Sequence, residues 1–229
     1  MSERPASPKQ QRLDLAARAL VAGQQQALEL LGQLGFRDPP GASRALDRLA
    51  GPAGNLIPLP ALVLSGLAAT PLPDRAILHL ERFADAAATR DSLFRRLSES
   101  EALRDALLSL LGHSRFLTDI LVRNPEHLYW LLEETPHLAE SVPKRSLRAD
   151  LRRDIEARSG HGHKMEALRR AQRRQLLRLG AGDLLGLKDV SQVGGELSDL
   201  ADVILELALE VVLDGLVRRY GHPRDQRGA

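Results

Sequence analysis

The stretch from Met165 to Gly221 constrains this chain more than any other part of it. Its first part is crowded with arginine: Arg169, Arg170, Arg173, Arg174 and Arg178. Its second part, Glu196 to Asp214, is acidic. Met165, Leu168, Gln172, Leu176 and Leu179 share one face of a first long helix. Leu197, Leu200, Ala201, Ile204, Leu207, Ala208, Val211 and Leu216 give a second helix an apolar stripe wide enough to need burial against other helices. The expected class is all-α, an antiparallel helical bundle with two long C-terminal helices.

The rest of the chain agrees with that class. Leucine, alanine and arginine, all strong helix formers, dominate, and aromatic residues are only 3%. No stretch alternates with period two for long enough to make a strand. Residues 1–12 are polar and expected to be a disordered tail. Leu13 to Leu34 has helical spacing, weakened at Gly23, and Asp38-Pro39-Pro40-Gly41 reads as a turn before a short helix at Ser43–Ala50. Gly51 to Pro60 reads as a loop. A soft boundary is expected near Thr70-Pro71-Leu72-Pro73, separating an extension (13–70) from a helical domain (71–221) and a tail (222–229). Within that domain Gly112 is placed as a left-handed helix stop and Ser114 as an N-cap. Asn124-Pro125-Glu126 is placed as a helix start that ends at Thr135-Pro136. Ser159-Gly160-His161-Gly162 is placed as a loop, and Gly194-Gly195 near the start of the last helix.

Composition excludes several classes. With no cysteine there is no disulfide or thiolate metal site, and a reducing compartment fits. The N-terminus has no apolar signal region, and Leu56 to Ala69 is too short and too broken by proline to span a membrane. A net charge of +2 gives no global drive towards nucleic acid. A cytoplasmic protein without membrane or nucleic-acid partners is expected.

Two groups of side chains invite a functional reading. Arg169, Arg170, Arg173 and Arg174, with Arg178, would suit an acidic partner protein or a phosphate, or would form a solvated face pairing with the acids of Glu196 to Asp214. His161 and His163 flank Gly162 without the further ligands a metal site needs. Tyr129 and Trp130 fit core or inter-helix packing better than cofactor stacking.

Two segments carry a family resemblance. In LLSLLGHSRFLTDILVRNPEHLYWLLEE, Leu107 to Glu134, the marked positions are Gly112, Ser114, Phe116, Leu117, Asp119, Leu121, Arg123, Pro125, Glu126 and Leu128. In the segment from Leu168 to Glu210 they are Asp183, Leu184, Leu185, Gly186, Leu197, Ser198, Leu200, Ala201 and Asp202. Both resemble the helical region of the bacterial glutamine synthetase adenylyltransferase/adenylyl-removase family, in the same order, and His79 to Leu93 is a weaker match. Two positions depart from it. Gly182 stands where the family usually has arginine, and Gly194-Gly195 where the family tends to be helical. Both suggest relaxed constraint or a divergent branch.

The resemblance implies nitrogen regulation, with ATP and Mg²⁺ used by a nucleotidyltransferase domain that follows a helix ending in Arg-Tyr-Gly. Here Arg219-Tyr220-Gly221 is followed only by HPRDQRGA, and no Asp-x-Asp occurs in the 229 residues. A metal-gripping acid pair is what that chemistry requires. The expectation is therefore a helical portion that is inactive alone, with no catalytic residue, metal site or cofactor of its own. Its expected partner is a nucleotidyltransferase domain or glutamine synthetase. The alternatives are a helical scaffold or nucleic-acid module using the arginine helix, and a truncated or split gene product whose catalytic half is encoded downstream.

Overall fold

The structure is a computed structural model that describes residues 7–50, 60–134 and 137–222. Among them are twelve α-helices and no strand. The chain is all-α, with its two longest helices at the C-terminal end. It divides into two compact units, Met1–Thr135 and Pro136–Ala229.

The first unit holds α1 (Pro8–Val21), α2 (Gln24–Gln33), α3 (Pro39–Ala50), α4 (Ala61–Ala68), α5 (Pro73–Ala86), α6 (Arg90–Glu99), α7 (Glu101–His113), α8 (Arg115–Arg123) and α9 (His127–Glu134). Disorder was expected through residue 12, yet α1 begins at Pro8. The Ser7 hydroxyl accepts the Gln10 amide, and proline at the first helical position sacrifices no bond. The expected helix from Leu13 to Leu34 is two helices, broken at Ala22-Gly23. Asp38-Pro39-Pro40-Gly41 is a helix start rather than a turn, because the Asp38 carboxylate accepts the Gly41 amide at 3.0 Å. Residues 1–6 of the expected tail and 51–59 of the expected loop lie outside the described residues, as do Thr135-Pro136 and 223–229.

α5 is central to this unit. It packs on α3, α7 and α8, while α4 packs on α1 and α7. The soft boundary at 70–73 therefore falls inside one core, between α4 and α5. Phe83, Phe94, Leu80 and Leu107 are fully buried in it.

Two further sequence-based expectations fail locally, for identifiable reasons. Gly112 does not stop a helix: α7 runs on to His113, and Gly112 has no positive φ. It is small because Thr70 lies against it, and a Cβ there would come 2.6 Å from the Thr70 Cβ. Asn124 closes α8 instead of opening α9. Its amide and side chain both donate back to Ile120, and α9 starts at His127.

The second unit holds α10 (Lys144–Glu156), α11 (His161–Leu184) and α12 (Val190–Tyr220). Leu147, Leu151 and Ile155 meet Leu168, Ala171 and Leu179, and both sets meet Leu200, Val203, Leu207 and Val211. His161, Gly162 and His163 belong to the first turn of α11 rather than to a loop, with Gly160 turning the chain at φ +82°. α11 ends in a Schellman closure. Gly186 sits at φ +66°, and the Leu187 amide donates to the Gly182 carbonyl at 2.8 Å. Asp189 and Gln192 form a capping box that opens α12, so Gly194 and Gly195 are already helical, in its second turn.

Candidate functional site

The first of the two resembling segments folds into a corner. Ser114 is at once the C-cap of α7 and the N-cap of α8: its amide donates to Leu110 and its hydroxyl accepts from Leu117. One face of α5 then clamps the corner through Arg75, His79 and Arg82, spaced one and two helical turns apart. Arg75 donates to the Gly112 carbonyl at 2.7 Å, and His79 Nδ1 donates to the Leu111 carbonyl at 2.7 Å. Arg82 donates to Asp119 at 2.8 Å. That bond, with the charges of Arg82, Arg115 and Arg123, holds the Asp119 carboxyl below its ordinary range. Burial pushes the His79 pKa down, helped by the Arg82 and Arg75 charges and opposed by the Leu111 bond. Phe116 and Arg123 point outward, and Pro125 is half-buried in the turn before α9. On the exposed edge, the Arg96 guanidinium lies 4.6 Å from the centre of the Tyr129 ring.

The second unit carries a buried ionic cluster. Arg178 of α11, Lys188 of the following turn and Glu196 of α12 are all buried. Glu196 accepts from Arg178 and Lys188 and, at 3.2 Å, from the Ser141 hydroxyl. The Glu140 carbonyl takes a second bond from each cation, 2.7 Å from Lys188 and 3.3 Å from Arg178. Burial pushes the Glu196 carboxyl upward, but the bonds and charges of Lys188 and Arg178 outweigh it and hold the group below its ordinary range. One carboxylate thus ties together the entry to α10, the end of α11 and the start of α12.

The surface charges of this unit pair differently from the sequence-based expectation. Of the arginine block, Arg178 reaches α12. Arg174 turns to Asp154 of α10 at 2.6 Å. Arg169 and Arg173 each lie 3.6 Å from Glu166 of their own helix, and Arg170 is exposed. The acids of α12 are met by α10 instead. Lys144 bonds Asp202 at 2.5 Å, Arg148 bonds Glu206 at 2.5 Å and Arg152 bonds Glu210 at 2.6 Å. Each rung advances four residues on both helices, so α10 and α12 run in the same direction. Half-exposed pairs of this kind add no more than about 1 kcal/mol each, but together they fix the register. Asp183 is exposed, and its carbonyl accepts the Gly186 amide at 2.9 Å. Ser198 donates to the Gly194 carbonyl at 2.9 Å, and Leu197 is on the outer face of α12.

Lys188, Glu196 and the Glu140 carbonyl were not found by sequence reasoning. No periodicity marks them; only the approach of three chain segments makes them a cluster. Among the described residues no group of three or more His, Cys, Asp or Glu side chains is placed to hold a metal ion. Among the same residues no helix is long and apolar enough to cross a membrane.

Comparison with known proteins gives these features a family. The sequence profile described as glutamate-ammonia ligase adenylyltransferase matches residues 104–229, which include the α7–α8 corner and the whole second unit. A Mycobacterium marinum protein named bifunctional glutamine synthetase adenylyltransferase/adenylyl-removing enzyme is 30% identical over 218 residues, 92% of this chain and 22% of that protein. A protein of the same name from Corynebacterium efficiens is 28% identical over 204 residues, 86% of this chain and 19% of its own length. Another from Burkholderia mallei is 33% identical over 100 residues, 44% of this chain and 11% of its own length. This chain belongs to the glutamate-ammonia ligase adenylyltransferase family. It spans about a fifth of the length of the Mycobacterium and Corynebacterium relatives.

Proposed function

We propose that this chain is a non-catalytic helical frame that supports a nucleotidyltransferase domain acting on glutamine synthetase. The observation that carries the reading is the cluster around Glu196. It lies within the family match and spends buried charge on holding three helices in fixed register, which is the work of a frame. The α10–α12 ladder supports the same role. The ATP and Mg²⁺ of the reaction would be held by the supported domain. Magnesium in phosphoryl transfer needs converging carboxylates, and the Asp-x-Asp pair that supplies them is absent from this sequence. No step through a metal is assigned to these residues.

The test is an AMP-transfer assay with the purified chain, glutamine synthetase, ATP and Mg²⁺. It is run with and without the separately expressed nucleotidyltransferase region of the Mycobacterium marinum relative. The expected result is no turnover by the chain alone, and turnover by the relative's region that rises when the chain is added. Robust turnover by the chain alone defeats the reading, and so does a region indifferent to its presence.

A further inference from the structure

α12 is apolar on two opposite sides. One side buries Leu200, Val203, Leu207 and Val211 in the core of its unit. The other presents Leu205 (69% exposed), Leu209 (58%), Val212 (37%) and Leu216 (46%), and ends at Tyr220 (70%). The four aliphatic residues step by four, three and four positions, the spacing of a coiled-coil seam. Such a seam fits another helix that carries a seam of its own.

The surroundings of the stripe say which helix. The acids between Val203 and Val217 are already neutralised within the unit: Glu206 by Arg148, Glu210 by Arg152 and Asp214 by Arg218. A border of one sign would repel its own copy, whereas this border does not. The exposed seam from Leu205 to Tyr220 offers on the order of 600 Å² of surface, and contiguous exposed apolar surface of this size marks an interaction site. Two such faces together reach roughly 1,200 Å², the lower end of specific interfaces.

We propose that the outer face of α12 pairs with the same face of a second copy of the chain, forming an isologous dimer. The test is sedimentation equilibrium of the full chain over roughly 1 to 100 µM, the range in which an interface of this size and no charged anchors associates. A reversible monomer–dimer equilibrium is expected. Leu209→Glu should raise the dissociation constant by about a hundredfold, since it places an unpaired charge at the centre of the interface. Its circular dichroism should be unchanged, because Leu209 is exposed in the monomer. The chain has no cysteine, so Leu209→Cys gives a single thiol. Under mild oxidation that variant should cross-link into dimers faster than Arg18→Cys, whose single thiol is exposed on α1. A monomer at every concentration overturns the proposal, as does a dimer insensitive to Leu209→Glu. A monomeric Leu209→Cys variant whose thiol resists labelling also overturns it, by showing that the stripe is covered within one chain.

Discussion

Lys188 threads its stem across Gly182. A Cβ on Gly182 would lie 3.1 Å from Lys188 Cδ and 3.2 Å from the Leu138 carbonyl oxygen. The missing side chain is therefore the channel through which the ammonium group reaches Glu196. The departure from the family's usual arginine at this position, which in the sequence suggests relaxed constraint, is a tightly packed contact. Gly182→Leu should displace Lys188 and lower stability by about 2–3 kcal/mol, the cost of overpacking. Lys188→Met should cost far less, about 1 kcal/mol, because it keeps the stem and leaves Arg178 and Glu196 as a one-to-one pair. Urea unfolding of the two variants, followed by circular dichroism, gives the comparison. Equal losses would mean that the channel is not what Gly182 provides.

The other departure from the family, the Gly194-Gly195 pair, should behave in the opposite way. Gly194 and Gly195 lie in the second turn of α12, and a Cβ at either meets nothing within 4 Å. Neither has a positive φ. Glycine here only adds freedom to the unfolded chain, so Gly194→Ala should raise stability by about 0.5–1 kcal/mol. A loss in the same urea experiment would show that the start of α12 is not helical in solution.

Helix stripes were legible in the sequence; their partners were not. The apolar periodicity of α11 located Leu168 and Leu179, and both are buried. In α12 the same reasoning gathered Leu197 and Leu216 with Leu200 and Leu207, although only the last two face the core. A helix that is apolar on two sides satisfies the 3.6-residue period twice, and periodicity cannot choose between the faces. The arginines of α11 were legible as a block. Which acids they meet depends on how the helices register, so the α10–α12 ladder emerged only from the fold. Turn chemistry misled where a residue that favours turns was serving packing: Gly112 looked like a stop and is a contact.

That contact can be tested by relief. Gly112 and Thr70 touch so closely that Gly112→Ala sets its methyl group 2.6 Å from the Thr70 Cβ and 2.7 Å from Cγ2. Either α7 or the turn that follows α4 must move, at a cost of about 1–3 kcal/mol. Removing the opposing side chain should recover most of that. In the double variant Gly112→Ala/Thr70→Gly, the Gly112→Ala penalty should shrink to under about 0.5 kcal/mol in a double-mutant cycle. An additive cycle would place the strain elsewhere.

Acid should weaken the two units in sequence, because each buries a different titrating group. His79, which clamps the α7–α8 corner from α5, has its pKa lowered below its ordinary 6.5, first by burial and then by the Arg82 and Arg75 charges. The unfolded chain then takes up a proton that the folded corner resists. The stability from neutral His79 is complete above pH 6.5 and is lost as pH falls from there towards the folded value. Glu196 is lowered below its ordinary 4.5, so its contribution is complete above pH 4.5 and fades only below it. Asp119 adds a further loss below its ordinary 3.8. Urea midpoints measured from pH 8 to pH 3 should therefore stay level, decline gently below 6.5, and fall more steeply below 4.5. His79→Asn should flatten the first decline and leave the second. Glu196→Gln should cost about 3–5 kcal/mol at neutral pH, since two buried cations lose their carboxylate, and should reduce the second decline. If the slope below pH 6.5 survives His79→Asn, the neutral imidazole bonded to Leu111 is not its source.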